Sequence, residues 1–306
     1  MNRLRKIVRD YVTMRRHLGY KLRRTPVLLN DFVGFLHKQQ ADYITVSLAL
    51  QWAQSKSKAP REEWAQRLSC VRCFARHLSA IDGRTQIPPW GLMPFRFKRT
   101  RPYLYTDYEL QTLLRAAVQI GGLQGQTYYC LIGLLSVSGL RIGEALNLRT
   151  KDVDLDGGLL VITGAKFGKS RLVPIHVTTQ KALAHYRRQR DKTFRRDLPY
   201  FFVSPRGCRL DESGVEDKFR RLTEEIGLRD PNAKRGPRLH DFRHRFAVKT
   251  LLAWYRSGED PRRRLPVLST YLGHVHVGDT YWYLSACPEL MALALRRLKK
   301  SRKELL

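Results

Sequence analysis

A chain of 306 residues, 43 % of them hydrophobic, is long enough for two domains, each with a core of its own. It holds no run of about 18 apolar residues to span a membrane, and its basic start lacks the apolar stretch of a signal peptide, so a cytoplasmic protein is expected. Fifty-seven Lys and Arg against 27 Asp and Glu leave a net charge of +30, which points to a polyanionic partner, since each phosphate contact releases condensed counterions.

Residues 1–105 hold 21 basic and 6 acidic side chains, and residues 106–306 hold 36 and 21, so the first third carries nearly twice the positive density. A membrane surface is the competing polyanion, but no lipidation motif or strongly amphipathic basic helix stands out. Basicity alone also fits a ribosomal or nucleoid protein; it selects a class of partner and not an activity. The five cysteines are odd in number and scattered, which argues against a disulfide framework. Only Cys70 and Cys73 have ligand-like spacing, with His77 one turn further on; zinc needs a fourth ligand and usually a second pair, neither is nearby, and the three residues read as a buried helical face.

In chain order, residues 1–83 read as four helices. Leu4, Ile7, Val8, Tyr11 and Met14 (or Val12) line the first, with Gly19 as its stop. Leu28, Phe32, Phe35 and Leu36 line a second from Val27 to about Gln39. Thr45 caps a third carrying Leu48, Leu50 and Trp52, and Trp64, Leu68, Val71, Phe74 and Leu78 line a fourth from Arg61 to about Ile81. Pro88, Pro89, Pro94 and Pro102 then break the pattern, so residues 84–105 are read as a basic linker. A new domain begins at Thr106, which can cap a helix, and runs to residue 306.

Within 125–148 an apolar helix ends near Ser138-Gly139, and Arg141 lies in the first turn of the next. Beside a tight glycine turn, Arg141 can meet an anion together with free backbone N–H groups; a surface pair with Glu144 is the plain alternative. Residues 153–155, 159–163 and 171–175 read as three antiparallel strands, and the second turn carries Lys166 and Lys169. Helices follow at 179–192 and 212–227, with a short strand at 200–203. His240 and Arg243, three apart on a helix, point the same way. Leu272-Gly273-His274 and Tyr283 complete a compact inventory of imidazoles, guanidinium and phenol. It suits charge neutralisation and attack at a phosphate once a second Arg and an acid are supplied. A last amphipathic helix covers residues 288–298. The expected fold is therefore mainly α, with a helical bundle first and then a mostly helical domain containing a small antiparallel sheet.

Taken together, Ser138-Gly139-Leu140-Arg141-Ile142-Gly143-Glu144, Lys166, His240-Asp241-Phe242-Arg243-His244, Leu272-Gly273-His274 and Tyr283 resemble the phage-integrase-like tyrosine recombinases in identity and order. Ala165, where the hairpin often has Gly, and the sequence TYWY at the end of the motif are departures. The resemblance implies that Tyr283 attacks the scissile phosphate of double-stranded DNA, giving a 3′-phosphotyrosine and a free 5′-hydroxyl, with neither ATP nor a metal. Arg141 and Arg243 would clamp the non-bridging oxygens with forked donors, Lys166 would protonate the leaving oxygen, and His240 and His274 would assist. It further implies a core-site-binding role for residues 1–83, no additional arm-binding domain, and a homotetramer on DNA from a free monomer. The helix from Pro288 is a candidate for docking on a neighbour, with packing on its own domain the alternative.

Two other readings compete: a catalytically silent DNA-binding protein on the same scaffold, and a type IB topoisomerase that relaxes DNA alone. A complete Arg–Lys–His–Arg–His–Tyr set weighs against the first, and the separate basic bundle against the second. A metal nuclease would need clustered carboxylates; Asp152, Asp154 and Asp156 stand without a partner cluster.

Overall fold

The computed structural model describes residues 2–93, 101–163, 170–233, 235–274 and 276–303. They divide into two compact units, Met1–Thr100 and Arg101–Leu306.

The first unit is α1 (Asn2–His17), α2 (Thr25–Lys38), α3 (Val46–Gln54) and α4 (Arg61–Leu78). Val8, Tyr11 and Val12 face the core, and Met14 is exposed, so the inward residue at the end of α1 is Val12. On α2 the buried stripe is Leu29, Phe32, Val33 and Leu36, with Leu28 and Phe35 only partly covered. Phe32 and Leu36 face inward as expected, but Leu29 and Val33 replace Leu28 and Phe35, so the buried face is turned by roughly 65°. Thr45 caps α3 by accepting Leu48 N–H at 3.2 Å. Arg67 is buried in the core, its guanidinium 3.9 Å from the Trp52 ring centre and donating to Trp52 O at 2.7 Å.

The expectation for Cys70, Cys73 and His77 needs correction. Leu68, Val71, Ala75 and Leu78 form the buried face of α4, whereas Cys73 is exposed and Cys70 only partly covered. The apolar side chains outcompete the thiols for the core, and Cys73 lies two positions, roughly 200°, from both Val71 and Ala75. The first half of the expected linker packs on this unit: Gln86 N–H bonds Ile44 O at 2.8 Å, and Arg72 donates to Pro88 O at 2.8 Å and Pro89 O at 3.0 Å.

The second unit runs through α5 (Asp107–Gln119), α6 (Gly122–Ser138), α7 (Ile142–Leu146), β1 (Val153–Asp154), β2 (Leu159–Ile162), β3 (Arg171–Pro174), α8 (Val177–Phe194), α9 (Glu212–Glu225), α10 (His240–Arg256), α11 (Pro261–Leu272), α12 (Gly278–Ala286) and α13 (Pro288–Lys303). The sheet is antiparallel in the order β1-β2-β3, with Leu159 opposite Pro174 and Ile162 opposite Arg171. A mainly helical fold with a small three-stranded antiparallel sheet is thus observed as expected. Thr106 caps α5 in a full capping box, accepting Glu109 N–H at 3.1 Å while Glu109 accepts Thr106 N–H at 2.7 Å. Tyr105 stacks on Phe242 of α10 at 4.4 Å, so the end of the expected linker belongs to this unit. The central helix α6 is apolar around its circumference and is flanked by α5, α8 and α10.

Two local differences from the sequence reading have physical causes. Residues 200–203 form only isolated bridges, Arg149 with Tyr200 and Val203 with Arg209. The buried Arg190 guanidinium takes the Tyr200 and Phe201 carbonyls at 3.1 and 2.9 Å, which a neighbouring strand would otherwise use. Helix α11 carries Pro266 in its interior, which masks its helical signal. Helix α13 packs on its own unit against α10 and α12, burying Leu290, with Arg256 bound to Glu289 at 2.6 Å.

Candidate active site

Two glycine-terminated helix ends face one another across the second unit. Helix α6 stops at Gly139, whose φ of +61° is the left-handed conformation that glycine adopts without a Cβ penalty. A Cβ there would meet Phe246 Cδ1 at 2.6 Å and Leu272 Cδ2 at 3.1 Å, so space as well as conformation demands glycine. Helix α11 stops at Gly273, φ +67°. Its end is sealed by Gly273 N–H on Thr270 O and His274 N–H on Ser269 O, each 2.9 Å, the paired bonds of a Schellman motif.

Arg243, on the first turn of α10, bridges the two ends. It is 1 % exposed, and its guanidinium donates to Gly139 O at 2.9 Å and Leu272 O at 2.6 Å. Burial lowers its pKa to about 10, with the nearby Arg141 charge acting in the same direction and Tyr283 opposing it, so it stays charged near neutrality. Arg141 stands at the N-cap of α7 and not in its first turn. Its guanidinium meets Glu144 Oε1 at 2.9 Å and Gly273 O at 3.2 Å and is a third exposed, so part of it faces solvent.

Tyr283 lies on α12 with its ring against two imidazoles, His244 at 5.3 Å and His274 at 6.0 Å, and close enough to Arg243 to favour its charged form. It is 3 % exposed, whereas Tyr281 is 54 % exposed. The two are about 200° apart around the helix, so α12 turns one phenol in and the other out. His274 is oriented by its Nδ1, 2.8 Å from the Thr280 hydroxyl of the same helix, which leaves Nε2 for another partner. His240 packs edge-to-face on His244 at 5.0 Å and keeps an exposed edge.

The imidazoles share an electrostatic setting. Burial, then the charges of Arg243 and Arg141, lowers His274 to about 4. Burial, with His240 and the neighbouring guanidiniums, lowers His244 to about 3. The His240 value shifts the same way from desolvation and the Arg243 charge, by less, as its exposure requires. All three rings are therefore neutral at pH 7 and can pass or accept a proton without displacing the cationic clamp. Glu144 shows the reverse balance: burial would raise its carboxyl, but hydrogen bonds from Arg171 and the Arg141 N–H, with both guanidinium charges, hold it at about 2.

The fold thus brings together Arg141, His240, Arg243, His274 and Tyr283; Lys166, in the connection between β2 and β3, lies outside the described residues. Three further residues were not among the expected site residues. Arg171 is the first residue of β3 and binds Glu144 through both Nη atoms, at 3.0 and 2.8 Å. His244 is buried, its Nδ1 without a hydrogen-bond partner among the described residues. Thr280 is fully buried behind His274. Only His244 had a readable clue, its place directly after Arg243.

A helical unit with a small antiparallel sheet, paired forked arginines and imidazoles around an enclosed tyrosine defines the class of the tyrosine recombinases, enzymes that cleave and religate DNA. The phage integrase family model matches residues 104–289, and the chain belongs to that family. The Sinorhizobium fredii protein y4rB, named an integrase/recombinase, is 52 % identical over 308 residues, covering 98 % of each chain. Tyrosine recombinase XerD of Caulobacter vibrioides is 30 % identical, over 86 % of this chain and 85 % of its own. Among solved structures, the Tn1549 transposon integrase in complex with transposon right end DNA has a TM-score of 0.67 at 16 % identity, covering 96 % of this chain and 98 % of its own. The XerH site-specific recombinase bound to palindromic difH substrate has 0.63 at 18 %, covering 91 % and 79 %.

Proposed function

We propose that this enzyme is a site-specific recombinase that breaks and rejoins double-stranded DNA through a covalent 3′-phosphotyrosine on Tyr283. The phenolic oxygen attacks the scissile phosphorus, the bond to the 5′ oxygen breaks, and the free 5′-hydroxyl later reverses the step on a new strand. Arg141 and Arg243 hold the non-bridging oxygens, and their donors are preorganised where charge builds up. Lys166 supplies the proton to the departing 5′ oxygen. His274 and His240, neutral at the working pH, take the phenolic proton or hydrogen-bond the phosphate. The bond energy is kept in the phosphotyrosine, so the reaction draws on no cofactor.

The observation that carries this reading is the enclosure of Tyr283 by His274, His244 and Arg243, with Tyr281 turned to solvent. The first unit is assigned the grip on the core site. Arg5, Arg9 and Arg16 line one groove of about 270 Å³ between α1 and α2, a row suited to a phosphate backbone. The active form is a homotetramer on two DNA sites, assembled from monomers in the cytoplasm.

The test is a nicked suicide substrate that traps the covalent adduct. Tyr283→Phe retains DNA binding and forms no adduct, because only the attacking oxygen is gone; Tyr281→Phe forms it at the unsubstituted rate. An adduct that survives in Tyr283→Phe and vanishes in Tyr281→Phe overturns the assignment.

A further inference from the structure

Arg171 lies 27 residues from Glu144 and 100 from Tyr271 in sequence, yet its guanidinium joins them. Nη1 and Nη2 each take one Glu144 oxygen, at 3.0 and 2.8 Å, and Nε donates to Tyr271 O at 2.8 Å. The same guanidinium lies against Gly273: a Cβ built there would stand 2.9 Å from Arg171 Nη1 and 3.2 Å from Cζ. The side chain is 11 % exposed and Glu144 9 % exposed, so the pair is screened from water on both sides.

We infer that Arg171 is a positioning residue for strand cleavage, acting through Glu144 to fix the orientation and preserve the charge of Arg141. This rests on the phosphotyrosine reading above. Two physical arguments carry it. The first is geometric. Glu144 has four main acceptor sites, and Arg171 takes two in a fork while the Arg141 backbone N–H (3.0 Å) and Nη1 (2.9 Å) take the others. The carboxylate therefore cannot rotate, and Arg141 is left with one guanidinium orientation, its far side on Gly273 O at 3.2 Å. The second is electrostatic. One carboxylate between two guanidiniums leaves the Arg141–Glu144–Arg171 cluster at +1; without Arg171 the carboxylate would neutralise Arg141, and Arg243 alone would carry the net charge of the clamp. Arg171 also begins β3, five residues beyond Lys166 and opposite Ile162 in the ladder, so one side chain ties the base of that hairpin to the two-arginine clamp.

The test is a double-substitution cycle read as the single-turnover rate of adduct formation on the nicked substrate. Arg171→Gln lowers the rate about 10- to 100-fold, the effect of a catalytic group displaced by about 1 Å. Affinity for an uncleavable site changes by less than about threefold, since Arg171 spends its donors on Glu144 and Tyr271 O and is largely buried. In an Arg141→Lys background, where no fork remains to be oriented, the same substitution costs less than about threefold, whereas a loss of general integrity would multiply through both backgrounds. Thermal melting accompanies each variant. If Arg171→Gln melts below the assay temperature, Arg171→Lys is read in the same cycle, because it keeps the charge but cannot make the fork. Equal penalties in both backgrounds, or a penalty under about threefold in the unsubstituted protein, overturn the inference while the wild-type adduct still forms. Absence of any wild-type adduct overturns the strand-cleavage reading and this inference with it.

Discussion

Gly139→Ala addresses how the clamp is held. At φ +61° any side chain meets the left-handed penalty of about 1–2 kcal/mol. The new methyl would also stand 2.6 Å from Phe246 Cδ1 and 3.1 Å from Leu272 Cδ2, well inside the ~3.5–4.0 Å of favourable contact. Phe246 cannot simply swing away, because its ring is stacked on Tyr271 at 5.4 Å, and forcing it costs a further ~1–3 kcal/mol. The sum is about 2–5 kcal/mol, which for a unit of this size lowers its melting temperature by roughly 5–15 °C. Since Gly139 O accepts from Arg243 Nη1, any backbone shift that relieves the clash also tilts the clamp, and adduct formation falls about 10- to 100-fold. Differential scanning calorimetry and the suicide-substrate assay read the two effects. The control is Gly133→Ala, in the middle of α6, where the nearest atom to an added Cβ is Leu114 Cδ2 at 4.0 Å; it is neutral or stabilising by ~0.5–1 kcal/mol. A Gly139→Ala protein that melts within 2 °C of wild type and cleaves within about twofold would refute the reasoning.

Two more outcomes are expected. Between the ordinary histidine value near 6.5 and the lowered values of His274 (about 4) and His244 (about 3), the unfolded chain holds protons that the fold does not. Stability is therefore complete above pH ~6.5 and declines on acidification, by up to about 2 kcal/mol per site at pH 5. Melting curves from pH 7 to 5 measure this; His244→Gln should flatten the dependence, and an unchanged slope would remove that residue from the account. Thr106→Ala deletes the hydroxyl that caps α5 and should cost about 1 kcal/mol in denaturant unfolding with cleavage retained. A loss below about 0.3 kcal/mol would mean that the Glu109 half of the box suffices.

What the chain declares by itself is local or ordered along it. Thr45 and Thr106 are legible as caps because the group they satisfy lies three residues away, and the helical stripe of α4 because burial follows the 3.6-residue period. The run from Arg141 through His240, Arg243 and His274 to Tyr283 is legible as an ordered set of side chains, and so is the small sheet from short strand-like runs separated by glycine-bearing turns. Which face of α2 turns inward, by contrast, was settled by packing against its neighbours, as was the outward turn of Cys73. The strand expected at residues 200–203 gave way because a single guanidinium, Arg190, reached its carbonyls from α8. The partners of Arg243 are the Gly139 carbonyl, 104 residues away, and that of Leu272. A charged residue at the edge of a strand reads the same whether solvent or a buried carboxylate receives it. The role of Arg171 therefore exists only once folding closes the distance between β3, α7 and the end of α11, since a hydrogen bond depends on where two backbones meet and not on which residues precede it.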